Sequence, residues 1–392
     1  MIRLVKYLLY VLFLPVWWLQ ILVPRKNDIW VFGAWHGHRY SDNSRSLFLY
    51  VKKNHPEIKP IWLTRNKKVV EQVRADGGIA FLANSRQGIW HSLIAKNIFV
   101  SCVKNDVNPL FINGANWIQL WHGSPAKKIG RDDKFSNANS FFQKGIVDNF
   151  FPFASEYNYH KIVSNASFFS PILASAFGVP QDRIIETGSP RNDVFKSLIE
   201  NPFNTNLRDK FPNCKILYYL PTFRGTKAVN SIFGLADYDP KKVDTFLEQQ
   251  NLVLVSKAHY IDNKIDKIDT TQERLVHLAD EDVIDINEML KDADLLITDY
   301  SSIYFDYLLT EKPVIFAAFD LAEYIGGNRE LPFKYEEVVA GPIVKNWLEL
   351  FNSLKAIFNN ENYKPLIKEK NLLFNKYHDD QNSKRVFDKI SY

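Results

Sequence analysis

Two stretches decide the predicted fold: Trp121-His122-Gly123-Ser124-Pro125-Ala126-Lys127-Lys128 and Thr298-Asp299-Tyr300-Ser301-Ser302. Each follows an apolar run typical of a β-strand, and each places small polar residues where the strand gives way to a helix. Open α/β sheets bind ligands at this junction, because free backbone N–H groups and the positive end of a helix dipole point outward there. The two stretches therefore predict an α/β protein that holds a phosphate-bearing substrate between two halves.

Length and composition indicate two globular domains. The chain has 392 residues, of which 46% are hydrophobic and 14% aromatic, enough for two cores. Its net charge of +5 suits an anionic substrate or an acidic membrane surface. Its basic residues are scattered without a zinc-finger, helix-turn-helix or RNP pattern, so nucleic-acid binding is not predicted. Cys102 and Cys214 lie in separate apolar runs, which predicts buried free thiols.

Strand-like and helical patterns alternate after residue 28, which predicts parallel sheets with helical crossovers. In the first half, strands are predicted at 29–35, 60–64, 79–82, 97–102, 117–121, 161–163 and 183–187, and helices at 45–53, 67–76 and 168–177, the last with Gly178 as its C-cap. In the second half, strands are predicted at 215–220, 252–256, 283–285, 295–298 and 314–317, and helices at 286–292, 303–309, 345–358 and 363–378.

This alternation predicts two Rossmann-like domains that face a cleft. We expect a membrane-anchoring segment at 1–24, a first domain at 25–200, a polar linker at 201–212, a second domain at 213–360 and a helical segment at 361–392.

The N-terminal segment is predicted to associate with a membrane. Residues 7–23 are nearly all apolar, with Pro15 and Gln20 as interruptions and basic residues on both sides. This length is just short of the roughly 20 residues that a spanning helix needs. Trp17 and Trp18 are typical of the headgroup level. We favour a monotopic anchor on the cytoplasmic face, with a true span and a buried soluble helix as alternatives.

The first polar stretch predicts a catalytic base. His122 follows a strand and precedes Gly123, which permits close backbone approach or a dihedral that other residues resist. An imidazole at such a strand end can take a proton from a substrate hydroxyl. Lys127 is a candidate contact for a phosphate or a lipid headgroup, with a solvated surface lysine as the alternative.

Three strand ends in the second half carry candidate phosphate contacts. Arg224 offers a planar fork suited to phosphate, and His259 is a second histidine at a strand terminus. Ser301 and Ser302 open a helix and can donate to phosphate oxygens, although a simple helix cap explains them too. Asp306 lies one turn later, where a carboxylate can accept hydrogen bonds from ribose hydroxyls.

Several alternative chemistries lack their sequence signals. Neither a G-x-G-x-x-G nor a P-loop motif occurs, which disfavours dinucleotide dehydrogenases and P-loop NTPases. No G-x-S-x-G elbow occurs. No metal site and no cofactor are predicted, because the His122 and His259 segments lack the spacing and carboxylates of a metal-binding motif.

An ordered set of short motifs resembles the CDP-glycerol glycerophosphotransferase family, the teichoic acid primases and polymerases. The matching segments, spread over nearly the whole chain after the N-terminal segment, are 40–44, 121–125, 188–191, 221–224, 257–259 and 298–302. The resemblance implies a GT-B fold whose C-terminal half binds the donor. It also implies His122 as the base and His259 as a second catalytic residue. Arg224, His259, Ser301 and Ser302 are implied as contacts of the donor pyrophosphate, and Asp306 as a contact of the ribose. One departure is Tyr260, where members often have proline, which affects the shape of that loop.

The implied reaction moves glycerol phosphate or ribitol phosphate from a CDP-polyol to a lipid-linked glycan or growing polymer and releases CMP, in the synthesis of teichoic acid or a capsule-like polymer. The sequence does not separate CDP-glycerol from CDP-ribitol, a primase from a polymerase, or one oligomeric state from another. A GT-B glycosyltransferase that uses a nucleotide sugar is the nearest alternative. A non-catalytic lectin or scaffold is a further one, which two histidines and an arginine at strand ends disfavour.

Overall fold

In the computed structural model, the chain has the predicted α/β class. The structure describes residues 2–133, 150–155, 157–198, 200–222, 231–257, 273–278, 283, 285–327, 330–359 and 362–391. The chain divides into two compact units. The first unit comprises Met1–His122, Ile129–Asp193 and Gln381–Tyr392, and the second comprises Gly123–Lys128 and Val194–Asp380.

The first unit is built on a seven-stranded parallel sheet with the order β3-β2-β1-β4-β5-β6-β7. Its strands are β1 Lys26–Gly33, β2 Lys59–Thr64, β3 Ile79–Leu82, β4 Ala95–Val100, β5 Asn116–Gln119, β6 Lys161–Ser164 and β7 Ile184–Glu186. Strands that helices cover on both faces have continuous apolar sequences. The core of this unit contains several aromatic side chains, and Phe32 on β1 stacks on Phe99 on β4 with ring centroids 4.7 Å apart.

The second unit has a five-stranded parallel sheet with the order β10-β9-β8-β11-β12. Its strands are β8 Lys215–Tyr219, β9 Leu252–Lys257, β10 Leu275–Leu278, β11 Leu295–Thr298 and β12 Val314–Phe316. Leu217, Ile297 and Trp347 belong to its core cluster. In both sheets the order reverses beside the first strand, which leaves a crevice at the carboxyl edge where doubly wound folds bind ligands.

The described helices surround these sheets. They are α1 Ile2–Leu19, α2 Asp42–Asn54, α3 Lys67–Ala75, α4 Arg86–Ile94, α5 Ser170–Phe177, α6 Pro202–Lys210, α7 Pro240–Gln249, α8 Ile286–Leu290, α9 Ile303–Tyr307, α10 Leu321–Gly327, α11 Tyr335–Val338, α12 Trp347–Phe358, α13 Lys364–Phe374 and α14 Asn382–Ser391. Gly178 ends α5 in the left-handed conformation, as predicted. Cys102 and Cys214 are buried free thiols, also as predicted.

The predicted linker at 201–212 instead contains α6. Asn201 caps this helix by accepting the N–H of Phe203, and Asn204 is fully buried. The Asn204 amide donates to the carbonyl of Met289 at 2.7 Å, so a polar residue here belongs to the interior. Of the predicted strand at 283–285, the described residues Val283 and Asp285 are not in a strand, and Asp285 caps α8. Strand β10 at Leu275–Leu278 was not predicted.

The predicted C-terminal segment at 361–392 is divided between the units. Helix α13 belongs to the second unit and α14 to the first. Asp193 fixes the start of α14 by accepting the N–H groups of Asn382 and Ser383 at 2.8 and 2.9 Å. Phe387 then packs on Trp30 in the core of the first unit, with ring centroids 5.1 Å apart. The last helix is therefore part of the core of the first unit.

Helix α1 packs one face on the first unit and exposes the other. Trp17 is fully buried against Trp117 and Phe153, so it is not available to a headgroup layer. The opposite face exposes apolar side chains, among them Leu8 at 56% and Leu12 at 73%. The alternative of a wholly buried helix is therefore wrong. No helix within the described residues is long and apolar enough to cross a membrane.

Candidate active site

His122 lies just beyond the carboxyl end of β5, in the first unit. Its Nδ1 is 3.1 Å from the carbonyl oxygen of Ser101, which follows the neighbouring strand β4. Because a carbonyl only accepts, Nδ1 carries the proton, and Nε2 keeps the lone pair that a general base needs. The imidazole is partly exposed and lies between two tryptophan rings, with centroids 4.1 Å from Trp121 and 5.4 Å from Trp35.

A buried ion pair holds the backbone at His122. The guanidinium Nη1 of Arg191 donates to the carbonyl oxygen of His122 at 2.9 Å and to the Asp42 carboxylate at 3.2 Å. The Asn43 side chain accepts the N–H of Arg191 at 3.0 Å and donates to the carbonyl of Trp121 at 2.7 Å. Residues of three segments that carry the family resemblance, 40–44, 121–125 and 188–191, are therefore joined by these hydrogen bonds.

The surroundings of His122 favour its neutral form. Burial lowers the pKa of His122 below its ordinary value, and the nearby Asp42 carboxylate opposes this shift. A neutral imidazole at neutral pH can accept a proton from a substrate hydroxyl. The orientation, the tautomer and the protonation state of His122 thus agree with the role predicted for it, which stays a prediction.

Asp106 shapes the loop that carries Ser101. Its carboxylate is fully buried and accepts the N–H groups of His36, Ser101 and Cys102 at 2.7, 2.9 and 2.7 Å. Burial raises the pKa of Asp106 to about 6, although these N–H donors oppose the shift. Asp106 therefore fixes the segment whose carbonyl orients His122.

In the second unit, Asp299 joins the two strands beside the crevice. It follows β11, and its carboxylate accepts the N–H of Thr222, which follows β8, at 2.8 and 3.1 Å. The same carboxylate accepts the N–H of Tyr300, and the Asp299 carbonyl accepts the hydroxyl of Tyr335 at 3.0 Å. Asp299 is thus buried and structural, and it fixes the direction in which the next residues leave the strand.

Ser301 and Ser302 lie between β11 and α9 and are partly exposed. Ser302 precedes α9 and makes no side-chain cap hydrogen bond, which disfavours the simple-cap explanation for that residue. Asp306, in contrast, is fully buried in α9. A carboxylate with no exposed surface does not present itself to a ribose, so the structure favours a structural role for Asp306 over the predicted contact.

The segment after His122 lies beside Ser301 in the second unit. Gly123 has a φ of 140°, which L side chains rarely adopt, in line with the expectation for this glycine. Ala126 and Ser301 line the same small cavity, of about 20 Å³. The Lys127 ammonium lies 5.8 Å from the centre of the Tyr324 ring, which stacks on Tyr300. Lys127 and Ser301 are thus brought to one side of the second unit, as a shared phosphate contact requires.

Arg224 and His259 lie outside the described residues, so their predicted roles stay predictions. The strands before them, β8 and β9, are hydrogen-bonded neighbours, and β8 also pairs with β11. Within the described ranges, no group of three or more His, Cys, Asp and Glu side chains is placed to hold a metal ion.

The sequence reasoning missed three residues that build this site. Asp42, Asn43 and Arg191 lie in segments that carry the family resemblance, yet none was predicted as a site residue. Their place in those segments is the one signal that the sequence carries, because the burial and the pairing of Arg191 with Asp42 are seen only in the structure.

Comparisons with known proteins agree with this geometry. A teichoic acid glycerol-phosphate transferase from Staphylococcus aureus is 28% identical to the chain, covering 93% of this chain and 92% of that protein. A teichoic acid ribitol-phosphate primase from Bacillus spizizenii is 26% identical, with 95% and 93% covered. The solved structure of the wall teichoic acid polymerase TagF matches with a TM-score of 0.76 at 24% identity, covering 99% of this chain and 95% of that one.

The family follows from the extent of these matches. Residues 16–392 match the family model described as CDP-Glycerol:Poly(glycerophosphate) glycerophosphotransferase. The chain has the TagF-like GT-B α/β fold with parallel sheets. The chain belongs to the CDP-glycerol:poly(glycerophosphate) glycerophosphotransferase family.

Proposed function

We propose that this chain transfers glycerol phosphate or ribitol phosphate from a CDP-polyol to a hydroxyl of a lipid-linked glycan or growing polymer, in teichoic acid or capsule-like polymer synthesis. The observation that carries the proposal is the orientation of His122. Its Nδ1 faces the Ser101 carbonyl, its backbone is held by Arg191, and its pKa is lowered. Family membership supplies the reaction class in which such a base is needed.

In this mechanism, Nε2 of His122 takes the proton of the acceptor hydroxyl as its oxygen attacks the β-phosphorus of the donor. The bond between that phosphorus and the bridging oxygen breaks, and CMP leaves with the bonding electrons. Phosphoryl transfer depends mainly on positioning and on charge stabilisation. Ser301, Ser302 and Lys127 supply donors and a positive charge in the second unit, together with the predicted Arg224 and His259.

The donor is tested by incubating the enzyme with CDP-glycerol, CDP-ribitol and UDP-sugars, each with a lipid-linked disaccharide. We expect CMP to appear with one of the CDP-polyols, and mass spectrometry to find a product heavier by one polyol phosphate or by several. A single addition identifies a primase and a ladder identifies a polymerase. Release of UDP with a sugar-modified product would instead establish a nucleotide-sugar glycosyltransferase.

The exposed face of α1 supports a peripheral location on the cytoplasmic leaflet. Leu8, Leu9 and Leu12 are each more than half exposed, and such a face can enter the interfacial region of a bilayer. Deletion of 1–24 is a poor test, because it also removes the buried Trp17.

Point substitutions on the outer face make a cleaner test. We expect Leu8→Asp with Leu12→Asp to abolish flotation with anionic liposomes while turnover of a soluble acceptor is kept. Leu348→Asp on α12, where leucine is 65% exposed, is the matched control and keeps flotation. Undiminished flotation of the α1 variant would show that this face is not the anchor.

A further inference from the structure

A pocket in the first unit takes no part in the mechanism above. It has a volume of about 380 Å³, within the range of about 300–1,000 Å³ that is usual for small-molecule sites. Its polar lining comes from Tyr10, Arg65, Asn84, Lys104, Asn105 and Asn108. We call it the Lys104 pocket.

The Lys104 pocket opens at the edge of the sheet that carries His122. Arg65 follows β2, Asn84 lies just after β3, and Lys104 lies in the loop after β4. These strands are parallel, so their carboxyl ends meet at one edge together with that of β5, which precedes His122. The loop after β4 also contains Ser101, whose carbonyl orients His122. One wall of the pocket is therefore continuous with the segment that fixes the base.

Two cationic side chains, Lys104 and Arg65, are among the residues that line the pocket. Lys104 is buried, and its ammonium donates to the carbonyls of Pro152, at 3.2 Å, and Tyr157, at 2.5 Å, while it lies 3.9 Å from the centre of the Trp117 ring. Arg65 is exposed, and its Nη2 donates to the carbonyl of Val107 at 3.3 Å. A guanidinium has five N–H donors, so Arg65 can still bind a phosphate or a polyol oxygen.

The remaining lining suits a sugar. Amide side chains both donate and accept, which matches the hydroxyl and acetamido groups of a glycan. Asn105 is exposed at the mouth, and Asn84 and Asn108 are joined by a hydrogen bond of 2.9 Å. The partly exposed Tyr10 packs edge to face on the buried Phe153, with ring centroids 5.1 Å apart, and these two residues form an aromatic part of the lining.

One wall of the pocket belongs to the helix with the exposed apolar face. Tyr10 lies on α1, two positions from Leu8 and from Leu12, which point outward. The outer face of α1 is proposed to enter the bilayer. A lipid whose head group occupies the pocket beside α1 can thus keep its hydrocarbon chain in that bilayer. This arrangement fits a lipid with a glycosylated, phosphate-bearing head.

We propose that the Lys104 pocket binds the glycosyl-phosphate head group of the lipid-linked acceptor and so determines which lipid presents its hydroxyl to His122. The inference rests on the proposed function for the identity of the acceptor. The pocket itself can be tested without turnover, so the two proposals can fail separately.

The test uses the full chain and the double variant Arg65→Ala with Asn105→Ala, whose side chains are exposed and whose loss leaves no buried charge. Lys53→Ala, which removes an exposed charge on α2, is the matched control. We measure KM for a long-chain lipid-linked disaccharide in vesicles, KM for its water-soluble short-chain analogue, and KM for the CDP-polyol. We expect the KM of both acceptors to rise about tenfold or more, with the donor KM unchanged, because charge-assisted hydrogen bonds to the head group are lost.

The outcomes separate the possible ligands. Unchanged acceptor KM values overturn the proposal, and so does an equal rise in donor KM. A rise for the vesicle-bound acceptor only, together with weaker flotation, would assign the pocket to ordinary anionic lipids and also overturn it. If the wild type turns over no CDP-polyol, calorimetry with the short-chain analogue decides: binding that the double variant weakens supports the pocket, and no binding to the wild type refutes it.

Discussion

The carboxyl edges of the two sheets are built in opposite ways. At the first edge, a buried ion pair and side-chain amides hold the backbone at Trp121 and His122. At the second edge, the buried Asp299 accepts the backbone N–H groups of Thr222 and Tyr300, and the partly exposed Ser301 and Ser302 follow it. The first edge fixes the position of one atom, Nε2 of His122. The second edge has several hydrogen-bond donors.

This difference follows from the chemistry that each edge is proposed to perform. A general base must be held in one direction and one protonation state, since a displacement of about 1 Å can cost roughly 10²-fold in rate. An anion site needs hydrogen-bond donors and positive charge. It tolerates the loss of one contact because the binding free energy is divided among several contacts. Substitutions at the first edge should therefore abolish the rate or unfold the unit, whereas those at the second should weaken donor affinity by steps.

The largest effect is expected for His122→Ala. Removal of a general base typically lowers the rate by roughly 10²–10⁴-fold. CMP release under saturating substrates measures this loss, and calorimetry with CDP-glycerol measures donor affinity, which should be unchanged. His91→Ala on α4 is the matched control and should keep full activity. Normal turnover by a folded His122→Ala protein would show that His122 is not the general base.

Arg191→Ala should produce the next largest effect, on stability. It leaves the Asp42 carboxylate buried without its partner, a change that typically costs about 3–5 kcal/mol in the free energy of unfolding. Urea denaturation measures this cost. Lys384→Ala, which breaks the exposed pair with Asp388, should cost less than about 1 kcal/mol.

A double-mutant cycle with Asp42→Ala tests whether Arg191 and Asp42 act together. The double variant should be less destabilised than the sum of the single changes, because it leaves neither charge unpaired. Strict additivity would show that the ion pair does not hold the first edge.

A smaller effect is expected for Ser301→Ala with Ser302→Ala at the second edge. Loss of hydroxyl donors to a charged phosphate should weaken donor binding about tenfold, or ~1.4 kcal/mol, with kcat at saturating donor nearly kept. Calorimetry with CDP-glycerol tests this against Ser353→Ala on α12. If donor affinity is unaffected while kcat collapses, the hydroxyls act on the reacting atoms and the contrast between the edges is lost.

The fold and the ends of the strands were predictable from the sequence because they depend on local pattern. Apolar runs that end in polar turns gave both parallel sheets and the positions of His122 and Ser301. The network behind His122 was not predictable in this way, since Arg191 and Asp42 are 149 residues apart and their contact depends on the register of the whole sheet.

Polar composition misled the prediction at two other places. Polar residues and two prolines made 201–212 resemble a linker, although the amide of Asn204 is satisfied inside the second unit by Met289 and Tyr218. Asp306 has the spacing of a ligand contact, yet the helix turns its carboxylate into the interior. Asn204 has tertiary partners and Asp306 is buried, and the local sequence reveals neither fact.

The smallest effect is expected for a change of pH near neutrality. The rate should depend on the protonation of His122 at the first edge, whereas donor affinity at the second edge should not. His122 must be neutral to act, and its pKa is lowered below the ordinary value of about 6.5. The first-order rate at saturating substrate should therefore be flat from pH 8 to about 6.5 and fall about tenfold per pH unit only below the lowered pKa. Asp42 opposes this shift, while Arg191 and His36 reinforce it, so Asp42→Asn should move the limb to still lower pH. Rate profiles for the wild type and this variant, with donor affinity measured at each pH as the control for the second edge, test the assignment. Two results would assign the titrating base to another residue. One is a fall in rate that begins above pH 7, and the other is an acidic fall that Asp42→Asn does not shift while donor affinity stays constant.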